Sequence, residues 1–199
     1  MIGRLVAMRS LVAAPVLVGA YGAARIMDGF DGSRGPGLAW TVGHLFFLAA
    51  LVLFVRIFGR LRTMAGGGVT ATAGYAAGLA GALALAAQFT IDIVVGFLSA
   101  DHGAMGPRFE AVKAIPWVEP VVYTVVPLLF YVGMVALVAR LAVGRRVPWW
   151  SAALVLVQAV LPLVSKDLIP LGAALLLLAF VPLLRLRSEQ PVVHAPISR

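Results

Sequence analysis

Gln88 and Asp92 stand four residues apart inside one long apolar run, Thr70 to Ala100, so on a helix they share a face. A carboxylate at hydrocarbon depth costs about 2.5–3.5 kcal/mol on insertion scales, which turns it toward a partner or a wet cavity rather than lipid. His44 lies inside a second apolar run. Glu119, Tyr123, Pro127 and Tyr131 recur every four residues at the start of another, and Gln158 sits within a fifth. These residues are suited to proton exchange: Asp92 and Glu119 can titrate, and His44 responds to whichever carboxylate it meets. The competing reading is structural. In it Gln88, Asp92, His44 and Gln158 satisfy one another across helices and specify packing.

Several chemistries are absent. With no cysteine, the chain has no disulfide, thiolate metal site or thiol nucleophile. His44 is the only histidine within an apolar run, so haem held by two intramembrane histidines fails. The H-E-x-x-H, G-x-S-x-G and P-loop patterns do not occur, and the glycine-rich Ala65–Gly68 stretch lacks the Lys-Ser/Thr that a phosphate loop needs. Neither a metal nor a cofactor is expected.

The elements that must carry these residues are membrane helices. Hydrophobic residues make up 62% of the 199 and charged residues 12%, against about a quarter charged in soluble domains. The expected fold is all-α: a polytopic bundle of six transmembrane helices over residues 1–186, with spans at about 5–24, 38–58, 70–99, 117–138, 148–165 and 168–184. The first span, with its basic start and small residues at Ala20–Ala24, also resembles a cleaved secretory signal. The last two spans could alternatively form a re-entrant hairpin. A short interfacial helix is expected over 108–114, and residues 187–199 read as a disordered polar tail. Gly74, Gly78 and Ala82, with Gly81 beside them, form a small-residue face suited to close approach by another span, either of this chain or of a second copy.

Charge supplies the orientation. Arg4, Arg9, Arg56, Arg60, Arg62, Arg140, Arg145, Arg146, Arg185, Arg187 and Arg199 fall on one side of a six-span chain. Arg25, Arg34, Arg108, Lys113 and Lys166 fall on the other, interleaved with Asp28, Asp31, Asp101, Glu110 and Asp167. The positive-inside rule then puts both ends in the cytoplasm and every polar residue within a span in the outer half. The net charge of +8 is thus an orientation signal with no nucleic-acid partner implied. The Lys166–Asp167 pair reads as a solvated turn. The arginine, alanine and glycine bias points to a bacterial plasma membrane.

The expected role is a non-enzymatic membrane protein that binds a small ligand or protons in an outer-half pocket, with the lipid bilayer and a membrane protein or second copy as partners. Its alternatives are a proton-coupled transporter using Asp92 and Glu119, and an intramembrane enzyme acting on a lipid or isoprenoid.

Overall fold

The structure, a computed structural model, describes residues 2–30 and 32–185, with side chains from residue 9 onward. The expected tail, with Arg187 and Arg199, lies outside the described residues, as do Asp31 and the side chain of Arg4. Seven α-helices and no strand are present among the described residues. They are α1 (Ile2–Asp28), α2 (Leu38–Met64), α3 (Val69–Leu98), α4 (His102–Lys113), α5 (Val125–Val143), α6 (Trp149–Val164) and α7 (Ile169–Arg185). Glu119–Thr124 forms a π-helical lead into α5, and Lys166–Leu168 a 3₁₀ turn into α7.

Six of the helices close into a ring in chain order: α1 on α2, α2 on α3, α3 on α5, α5 on α6, α6 on α7, and α7 back on α1. Five segments are long and apolar enough to cross a membrane: Arg9–Asp28, Leu38–Met64, Val69–Leu98, Glu119–Val143 and Lys166–Arg185. The 16 residues of α6 are apolar but short. At ~1.5 Å per residue they reach about 24 Å, less than the roughly 30 Å of a hydrocarbon core.

The core follows helical periodicity. On α2, Phe47, Leu51, Phe54, Phe58 and Leu61 recur at intervals of three and four and are buried, while Leu45 and Val52 on the opposite side are exposed. Phe130 of α5 meets Phe54 and Phe58 edge-on, with ring centroids 5.0 and 5.3 Å apart. An apolar side on both the core and the outward face is what a helix in lipid requires.

The crossing of α3 and α5 is a backbone contact. A Cβ on Gly81 would stand 2.0 Å from the Phe130 nitrogen, and one on Gly133 would stand 2.4 Å from the Gly78 nitrogen. Gly78 also receives the ring of Phe58, and Gly74 faces Leu137. The small-residue face on α3 therefore has its partner within this chain, and Gly133 on α5 supplies the missing half of the contact.

Boundaries differ from the sequence-based expectation in instructive ways. The second helix runs past residue 58 to Met64, because Arg62 reaches sideways to Thr72 Oγ1 at 3.0 Å and stacks near Tyr75. The helix expected over 108–114 begins at His102. Asp101 caps it by accepting from the Ala104 nitrogen at 2.8 Å, and buried Met105 anchors it. The fourth apolar run is displaced from 117–138 to Glu119–Val143. Pro127 has no N–H for the Tyr123 carbonyl, and the turn before it widens so that Val125 donates to Pro120.

Candidate functional site

His44 is placed by α2 and Asp92 by α3, and the two meet across that interface, with Nε2 3.6 Å from Oδ2. Their side chains are 6% and 14% exposed, so the pair is shut off from most of the solvent. Trp40, one turn before His44, donates from Nε1 to the backbone carbonyl of Asp92 at 3.1 Å. Gly96, one turn after Asp92, makes room for it: a Cβ there would stand 2.9 Å from the indole nitrogen. Two i,i+4 pairs, Trp40 with His44 and Asp92 with Gly96, thus lock together as one interhelical fitting.

His44 Nδ1 lies 2.7 Å from the Trp40 carbonyl oxygen, which can only accept, so Nδ1 carries its hydrogen. In a neutral imidazole Nε2 would then be a bare lone pair facing a carboxylate oxygen. At 3.6 Å the contact is an ion-pair distance and too long for a direct hydrogen bond.

An aromatic enclosure surrounds the imidazole. The Trp40 ring lies 4.2 Å from it, Phe89 5.0 Å and Tyr21 of α1 5.8 Å, with Phe47 stacked on Phe89 at 4.1 Å. The Trp40 and Phe89 rings are tilted against the imidazole, and the Tyr21 ring meets it edge-on. The opening beside the pair is a cavity of about 10 Å³ lined by Tyr21, Arg25, Asp28, Trp40 and His44, the size of about one water.

Above this cavity the polar groups of three connections converge. Arg34 donates to Asp167 Oδ1 at 2.8 Å, Arg25 Nε lies 3.7 Å from the same oxygen, and His102 hydrogen-bonds the Arg34 carbonyl. Lys166 and Asp167 are exposed in a turn, as expected, and Asp167 is in addition an ion-pair partner of Arg25 and Arg34. The bond ties the α6–α7 turn to the loop that leads into α2.

The other candidate residues distribute themselves differently. Gln88 is half-buried one turn below Asp92 and takes no part in the ion pair or in the bonds that hold it. Tyr123 is half-buried with its hydroxyl oxygen enclosed and unpartnered, and Lys113 Nζ sits 5.9 Å from its ring. Glu119 is exposed in the π-helical lead. Gln158 is buried but lines a separate cavity of about 40 Å³ with Phe54, Phe130, Tyr131 and Gly172. Phe47 lines that cavity too and stacks on Phe89 of the first cluster. Of the six, His44 and Asp92 form a direct pair.

Trp40, Tyr21, Phe89 and Gly96 complete this fitting, and none of them stands among the residues that the sequence singles out. The available signal was the repeated i,i+4 spacing around each ionisable residue. Among the described residues no group of three or more His, Cys, Asp or Glu could hold a metal ion.

This architecture, long apolar helices in a closed ring with an ionisable pair between two of them, is that of a helical membrane protein. No protein-family model matches the chain, and the comparisons with curated proteins and with solved structures likewise return no match.

Proposed function

We propose that the chain crosses a bacterial plasma membrane six times with both ends cytoplasmic, and that His44 and Asp92 form a proton-binding site open toward the outer side. Its role is to sense protons, or a small ligand that competes for that proton, without catalysing a reaction. The six apolar helices of the ring and the gathering of arginines at one end support the topology. One observation carries the functional reading: a histidine and a carboxylate, both largely buried between two apolar helices, stand 3.6 Å apart as an ion-pair contact. In this reading a change of proton occupancy alters the His44–Asp92 contact and with it the α2–α3 interface. Glu119, exposed and distant in sequence from this fitting, is not needed for the response.

The Trp40 ring lies 4.2 Å from the imidazole, tilted by 36°, close enough for its emission to respond to a change there. In lipid nanodiscs, tryptophan emission should show a reversible pH-dependent step that disappears in His44→Phe and shifts in Asp92→Asn. An identical titration in all three proteins would refute the site, whereas reporter fusions at Ala104 and Gly66 test the topology separately.

A further inference from the structure

At the opposite end of the bundle, the α2–α3 turn and the α5–α6 turn enclose a groove of about 260 Å³. It is lined by Met64, Ala65, Gly66, Arg140, Val143 and Arg146, among others. Arg140 Nε donates to the Ala65 carbonyl at 3.0 Å and an Arg146 terminal nitrogen to the Met64 carbonyl at 3.1 Å. Each bond holds a guanidinium in place while occupying one of its five N–H donors. Gly66 and Gly67 adopt φ of 90° and 66°, a left-handed turn that glycine makes without strain, and a Cβ on Gly66 would meet nothing within 4 Å.

Charge decides what such a groove can take. The C-termini of α2 and α5 meet here and contribute about −0.5 each. Arg140, Arg145 and Arg146 bring three positive charges, leaving an excess of about two, and every Asp and Glu of the described chain lies toward the other end. The groove is bordered by apolar side chains that point into open space. Val143 at its lip is 86% exposed and Val69, at the start of α3, 88%. A cationic, donor-rich hollow beside exposed aliphatic groups matches the junction of a lipid headgroup with its acyl chains.

We propose that this groove binds the phosphate of an anionic membrane lipid, with Arg140 and Arg146 as its ligands. Guanidinium forks pair with phosphate oxygens in bidentate geometry, and basic pockets between membrane helices are suited to such headgroups. The volume is below the roughly 300–1,000 Å³ of sites for whole drug-sized ligands, so the groove takes the headgroup phosphate and leaves the acyl chains outside against Val143 and Val69.

The test is thermal unfolding of the full chain in neutral detergent, titrated with phosphatidylglycerol, with phosphatidylcholine and with inorganic phosphate. Phosphatidylglycerol should stabilise the wild type saturably, and the other two should not. Arg146→Gln should weaken the half-saturating phosphatidylglycerol concentration at least tenfold, while Arg56→Gln, which removes an equal charge away from the groove, should change it less than twofold. Because Arg146 also caps α2, Val143→Glu provides a second variant at an exposed position, and it should also weaken binding at least tenfold. Equal stabilisation by phosphatidylcholine, or unchanged phosphatidylglycerol binding in Val143→Glu, overturns the site. A shift of the same size with inorganic phosphate alone overturns its assignment to lipid.

Discussion

The two halves of α3 are built on different principles. In the first half, Gly74, Gly78 and Gly81 bring the helix against α5 so closely that main chain touches main chain. In the second, Phe89, Asp92 and Gly96 meet α2 through an aromatic stack, an ion pair and an indole hydrogen bond. Lipid tails are as apolar as leucine, so close packing is the main force available to the first interface, and it leaves no room for change. The second is held by polar and aromatic contacts, and the proton response proposed for His44 and Asp92 would act there. One half of α3 is fixed by backbone contact and the other by side chains.

The largest expected effect is at the rigid crossing. Gly81→Leu would drive a side chain into the Phe130 backbone and should cost at least about 3 kcal/mol, given that ordinary overpacking costs about 1–3. Detergent-induced unfolding followed by circular dichroism measures it, and a near-neutral result would mean that α3 and α5 do not cross here. At the polar half, Asp92→Leu leaves His44 Nε2 without its partner and should destabilise by about 1–3 kcal/mol. Combining it with His44→Phe should recover most of that loss, since replacing both members of a buried pair by apolar groups is often neutral. Additive penalties in the double variant would show that the two residues do not interact.

Gly96→Ala should be milder, about 1 kcal/mol, through displacement of Trp40. The sharper readout is its emission spectrum, which should move toward that of an indole released from its hydrogen bond. Smallest is Asp167→Asn, which breaks the contact with Arg34 at a partly exposed site and should cost about 0–1 kcal/mol, less at high salt. A loss well above that would mean that the turn above the cavity contributes as much as the interface below it.

Much of this contrast can be read in one dimension. Small residues every fourth position on α3, and an ionisable residue further along the same helix, are visible in the chain. So is the similar depth of His44 and Asp92, because rise per residue converts sequence position to depth. The start of α4 was readable as well: Asp101 three residues before the Ala104 nitrogen is an N-cap signal, obscured by the glycines that follow. Gln158 shows the limit of depth. It was grouped with Asp92 by its position along α6, yet the helix turns it into a different cavity.

By itself, then, the sequence determined that the chain forms long apolar helices, where they begin and end to within a turn or two, and how far along each helix its polar residues lie. These are local properties, set by hydropathy, capping and a fixed rise per residue. Tertiary structure alone decided the rotation of each helix and the choice of its neighbours. That choice separated His44 and Asp92 from Gln158, gave Gly81 its partner across α5, and brought Arg25 and Arg34 to Asp167 in its exposed turn. Rotation depends on which surfaces interlock across the bundle, and helices that are apolar on every side carry little amphipathic signal to specify it.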